Sequence, residues 1–200
     1  MVTETKASTL KRASRRLFRR LISDRKGATA IEFAILALPF FLVVFASIET
    51  FIAFTGEQLL ANATDTLARK IRTGEITSTM SEEEFRQAFC EEISILMTCS
   101  ATEAGQPQKL FLDVRTITDL TSFPPAIPRT GSSSSSDLDT SGFQFAPGGP
   151  GTFNMVRAYY RWEVITDLVR PYVTNLRPAG TSMPRDFLMV ATATFKNEDY

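Results

Sequence analysis

GATAIEF, residues Gly27 to Phe33, joins a basic head to an apolar run, Phe33 to Ile48, that contains no charged residue. Ala28 to Ile48 is 21 residues long, which as a helix covers about 31 Å, the thickness of a bilayer's hydrocarbon core. One helix of this composition can cross a membrane. Pro39 lies inside it, where the missing N–H predicts a kink unless neighbouring groups compensate. Glu32 is the costly residue: a carboxylate at the centre of a spanning helix is unfavourable by about 3 kcal/mol. It is therefore expected at the membrane edge or beside a cationic partner.

The formal net charge is zero, but its distribution is not even. Residues 1–27 hold nine Lys/Arg against Glu4 and Asp24, a net +7, and the rest holds 13 basic against 20 acidic side chains, a net −7. Lys11, Arg12, Arg15, Arg16, Arg19 and Arg20 recur at helical spacing with Leu10, Leu17 and Leu21 between them. That pattern fits either a basic amphipathic helix on anionic lipid or a solvated positive tail. Both readings place this end in the cytoplasm by the positive-inside rule. A basic cluster can also bind nucleic acid, yet this one abuts a membrane-length run without interleaved aromatics, so no nucleic-acid partner is expected.

Two ordinary explanations compete for such an arrangement. Val44-Phe45-Ala46 before Ser47 offers small residues for a signal-peptide cut, although the head is long for an n-region and a helical pattern continues past Ala46. The other is an uncut single-pass anchor displaying a small periplasmic binding domain.

The residues also resemble a family. A basic leader ending in Gly27, a small Ala28, Glu32 at the fifth position after that Gly and then Phe33, all entering an apolar helix, are similar to the prepilin signal of the type IV pilin superfamily. The string GATAIEFAILALPFFLVVFASIETFIAF, followed by LLANATDTLARKIRTGEI, resembles the TadE-like pseudopilins of the Tad/Flp (tight adherence, type IVb-like) pilus assembly system. The later pieces MVRAYYRWEVITDL and FLMVATATFKNEDY resemble the same group. The resemblance implies a processing site at Gly27, Ala28, Glu32 and Phe33, cut after Gly27 by prepilin peptidase. It implies that Glu32 then pairs with the Ala28 amine of a neighbouring subunit. It also implies a chain in the bacterial inner membrane, amino terminus cytoplasmic and head periplasmic, whose partners are prepilin peptidase, other Tad/Flp pilus subunits and the inner-membrane assembly platform, besides membrane lipid. Incorporation into the pilus and a part in adhesion would follow.

The expected fold class is α+β: a long amino-terminal transmembrane helix continuing into a periplasmic head with a second helix and a small, about three-stranded, antiparallel sheet. The expected domains are a basic cytoplasmic leader over 1–27, a transmembrane helix over 28–54 and a pilin-like head over 55–200. Phe51, Leu59, Leu60, Ala63, Leu67 and Ile71 carry helical spacing onward to Gly74, a candidate C-terminal cap. Glu49 and Glu57 read as solvated helix charges. Ser81-Glu82-Glu83-Glu84 is a capping box opening a second helix whose buried face is Phe85, Phe89, Ile93 and Met97. Cys90 and Cys99 would lie about 13 Å apart on one straight helix, beyond disulfide reach, so a bond requires the helix to end before Cys99. Export to an oxidising compartment favours that bond.

Period-two alternation marks strands at Leu110–Arg115, Met155–Val164 and Leu188–Phe195. Tyr159 and Arg161 on the second strand are candidates for a subunit contact. The Pro-, Ser- and Gly-rich insert Thr121–Gly151 is expected to be mostly mobile, with Phe143 and Phe145 docking and with a covering role over a partner surface. The chain has no His, no phosphate-binding Gly loop and no nucleophile elbow. Asp137 and Asp139 read as solvated loop carboxylates. No enzyme activity, catalytic residue, metal, cofactor or small-molecule substrate is expected.

Overall fold

The computed structural model describes residues 25–118, 126–167 and 170–200, with side chains from residue 29 onward. Expectations for the basic head at 1–24 and for the first residues of the insert fall outside that range. The chain forms two compact units, Met1–Ser47 and Ile48–Tyr200. The elements in order are α1 (Arg25–Arg72), α2 (Glu82–Ile93), β1 (Leu110–Thr116), β2 (Phe145–Ala146), β3 (Phe153–Glu163), a single turn α3 (Arg170–Val173) and β4 (Asp186–Lys196). The class is α+β, with a long apolar amino-terminal helix, a second helix and a mixed four-stranded sheet.

Helix α1 runs through Pro39 without interruption. It ends where the sequence signals it should: Gly74 has φ +80°, and a Cβ there would lie 2.6 Å from the Tyr200 ring. Only glycine fits, because the left-handed conformation penalises a side chain and the carboxy-terminal tyrosine closes the space. The backbone N–H groups of Thr73 and Gly74 donate to Arg69 and Ile71, and that of Ile76 to Lys70, so the last carbonyls of the helix are satisfied.

The capping box of α2 is complete. Ser81 Oγ accepts from the Glu84 N–H while the Glu84 carboxylate accepts from the Ser81 N–H. These hydrogen bonds hold the Glu84 carboxyl below its ordinary range. Helix α2 ends at Ile93, and the turn beyond it brings Cys99 back to Cys90, with Cα atoms 5.9 Å apart and the sulfurs at disulfide distance.

The sheet order is β2-β1-β3-β4, with β1–β3 and β3–β4 antiparallel. One face packs on the helices. Leu60, Ala63, Leu67, Ala68 and Ile71 of α1 and Phe85, Phe89 and Ile93 of α2 enclose Leu110, Leu112, Val114, Val156, Ala158, Tyr160, Met189 and Ala191. The alternation in β1 and β3 thus selects the face that the apolar stripes of α1 and α2 cover.

Two features depart from the sequence expectation. The sheet is not purely antiparallel with three strands: β2, drawn from the insert, adds a short parallel edge to β1, with Phe145 opposite Val114. Two residues carry no periodic signal. What places them is the Phe145 ring, 4.8 Å from that of Phe85, and the Val114 N–H donating to Gln144 at 2.7 Å.

The described part of the insert, 126–151, also packs where composition argued for mobility. Leu138 and Phe143, with Leu176 from the segment after α3, lie over Phe111, Tyr159, Leu188 and Val190 on the second sheet face. The Phe143 ring stacks on Tyr159 at 4.9 Å. A sheet face carrying Phe111, Tyr159 and Leu188 cannot remain wet at low cost, and the insert is the chain available to cover it.

Candidate functional site: the amino-terminal segment and its junction with the head

Gly27 and Ala28 lie in the first turns of α1. Glu32 and Phe33 are both exposed on it, and Glu32 makes no hydrogen bond or ion pair among the described residues. From Ile31 to Phe45 nearly every large side chain is exposed, including Phe33, Leu36, Leu38 and Phe40. A helix apolar all round and buried against nothing has the composition of a membrane span. Its most apolar stretch contains no buried residue. The hydroxyls of Ser47 and Thr55 donate to the carbonyls of Val43 and Phe51 one turn back, which satisfies them without water.

At the start of the head, Glu49 is not the solvated charge that helical spacing alone suggested. Its Oε1 accepts from the backbone N–H of Ile165 at 2.7 Å, and both carboxylate oxygens lie 3.3 Å from the Thr166 N–H. It thereby ties the β3–α3 link to the helix. An adjacent groove of about 270 Å³ is lined by Glu49, Ala53, Phe54, Trp162, Val173 and Phe187, among others. No local signal could have revealed this, because the donors lie more than a hundred residues along the chain.

Residues 27–69 match the family described as TadE-like protein. The TadE-like match opens on Gly27 and closes three residues before the end of α1, so it covers the candidate processing motif and almost the whole helix. The downstream stretches noted for their likeness lie beyond it. No significant match to a curated protein or to a solved structure was found. Residues 27–69 are thus similar to TadE-like proteins, and the helix they form is long and apolar enough to cross a membrane.

The remaining candidates are placed plainly by the head. Tyr159, expected at a subunit contact, is buried beneath Phe143, and burial pushes its phenol above the usual range. Arg161 is also occupied, donating to Asp137 at 2.8 Å and lying 4.9 Å over the Phe111 ring. Asp137 is correspondingly not solvated: its second oxygen accepts from the Ala179 N–H. Asp139 bonds the N–H and hydroxyl of Ser141 in a local turn, which lowers its pKa. Glu103 carries no local sequence signal, because its partners are met only in the fold. It is buried, and one oxygen accepts from three successive backbone N–H groups, Gln108, Lys109 and Leu110, at 2.7 to 2.8 Å. Among the described residues no group of three or more His, Cys, Asp or Glu is placed to hold a metal ion.

Proposed function

We propose that the chain is a pseudopilin, a minor subunit or assembly factor of a bacterial Tad/Flp pilus without catalytic activity of its own. The TadE-like match that begins at Gly27 and runs through a membrane-length apolar helix carries this reading. Prepilin peptidase removes residues 1–27, and α1 remains in the inner membrane with the head in the periplasm. The new amine at Ala28 of one subunit meets Glu32 of its neighbour. An exposed carboxylate in an apolar helix supports that role, because pairing relieves the cost of holding a charge in lipid. The partners are the peptidase, other pilus subunits, the inner-membrane assembly platform and lipid. The disulfide suits a periplasmic head.

Amino-terminal sequencing or intact mass of membrane-purified protein tests the reading. A chain starting at Ala28 supports it. A start at Met1 or Val2 in peptidase-competent cells would overturn the processing step in favour of an uncut anchor. A start at Ser47 would establish ordinary secretion instead.

A further inference from the structure

The carboxy-terminal end of β3 stands between two grooves, and Trp162 and Val164 line both. The first, of about 270 Å³, draws Glu49, Phe54 and Glu57 from α1 and Phe187 from β4. The second, of about 360 Å³, draws Leu96 from the turn that the disulfide closes, Lys109 from the approach to β1, and Ile165 and Arg170 from the β3–α3 link and α3. All of these residues belong to the compact unit Ile48–Tyr200.

Most of the charges that line these grooves are engaged within the head. Glu49 accepts from the N–H groups of Ile165 and Thr166. Arg161 pairs with Asp137, Glu163 with Arg185, and Arg170 with Asp167 and the Val164 carbonyl. Glu57 and the Lys109 ammonium are left over. Both residues are half-buried, and neither side chain makes a hydrogen bond or ion pair among the described residues; Lys109 acts on the Glu163 carboxyl only through space. A half-buried charge without a partner is unfavourable, and here each groove holds one, of opposite sign. Beside them, Phe54 of the first groove and Ile165 of the second are 58% and 82% exposed. Aromatic and aliphatic surface carrying an isolated charge is the make-up of a protein contact.

What fits is a surface that offers an ammonium to the first groove and a carboxylate to the second. The chain itself carries that surface, because the two grooves are complements that share a wall. A twofold axis beside that wall brings Glu57 of each copy to Lys109 of the other, so one symmetric contact satisfies both charges twice. We infer that the head docks on a second copy of this chain through these two grooves, with Glu57 of each copy paired to Lys109 of the other and Trp162 and Val164 at the centre. The contact involves the head alone and stands whether or not residues 1–27 are removed.

The test begins with the unaltered full chain in a neutral detergent, heavy-nitrogen-labelled and unlabelled copies mixed in equal amounts. A water-soluble carbodiimide joins a carboxylate to an amine in contact with it. Cross-linked peptides that couple Glu57 to Lys109 and combine one labelled with one unlabelled half are expected. Their absence, or couplings confined to a single isotope, would overturn the contact. Sedimentation velocity supplies a second reading. Under twofold symmetry Glu57→Lys meets like charge at both pairs, and so does Lys109→Glu; each variant alone should dimerise about tenfold less strongly or worse. An equal mixture of the two should dimerise again, since each supplies the charge the other lacks, and that recovery shows both to be folded. Asp65→Lys and Arg177→Glu, at exposed positions outside both grooves, change the net charge equally and should leave the dimer of each variant intact. Groove variants that dimerise like the unaltered chain would assign the dimer to α1 and overturn the head contact. Folded variants whose mixture stays monomeric would overturn it too, and should either variant fail to fold, the cross-link in the unaltered chain decides.

Discussion

Glu103 is a buried carboxylate at the approach to β1. It accepts from the N–H groups of Gln108, Lys109 and Leu110 and so holds the segment that leads into β1. Glu103→Ala would leave three inward-facing donors without an acceptor, at a cost of about 3 kcal/mol. Glu103→Gln, which keeps one acceptor oxygen, should lose less. Urea unfolding of the detergent-solubilised chain, followed by Trp162 emission, measures both. Asp186 behaves oppositely. Burial raises its carboxyl above the ordinary range, against the attraction of Arg161. A folded pKa above the unfolded one means that ionisation opposes folding, so its penalty is present above the raised value and disappears as pH falls through it. Asp186→Asn should therefore stabilise the chain at pH 7, with the gain shrinking near pH 4. A gain equal at both values would exclude this cause. The lowered pKa of Glu84 has the reverse sign: its contribution is held above the ordinary glutamate range and lost as pH drops through the depressed value.

At the scale of elements, the turn after α2 is closed by Cys90 and Cys99. A bridge spanning so short a loop contributes about 2–3 kcal/mol by restricting the unfolded chain. Cys90→Ser/Cys99→Ser is thus expected to lower the urea midpoint by a corresponding amount, and alkylation of the untreated protein without reductant should add no mass. Two added labels would show the cysteines free. The same turn positions Thr98, whose carbonyl accepts from the Tyr160 hydroxyl at 3.0 Å, so its loss should loosen the end of β3 nearest the β3–α3 link. Helix α2 was readable because a capping box and a four-residue apolar rhythm are local signals. Strand β2 was not, since its causes, the Phe145 ring meeting Phe85 and the Val114 N–H donating to Gln144, lie across the fold.

At the scale of the molecule, the head and the helix have separate requirements. The head buries one sheet face under α1 and α2 and the other under the insert and Leu176. The helix up to Ser47 buries almost nothing among the described residues, which suits the proposed span in a bilayer or among other subunits. Glu32→Ala should consequently leave membrane insertion and head stability unchanged while reducing pilus assembly, measured as sheared filaments against membrane-retained protein. Piliation equal to that of the unaltered chain would remove the pairing role.

The sequence by itself determined the long apolar helix, the second helix, the caps at Ser81 and Gly74 and three of the four strands. Each of these is written in neighbouring residues, as a length, a period or a cap. Only the tertiary structure decided the use of the insert, the parallel edge at Phe145, the Asp137–Arg161 pair that occupies an apparent contact residue, and the Glu49 tether to Ile165 and Thr166. These join groups far apart in the chain, and low hydrophobicity in a Ser- and Gly-rich stretch says nothing of a waiting sheet face that a few of its side chains can cover.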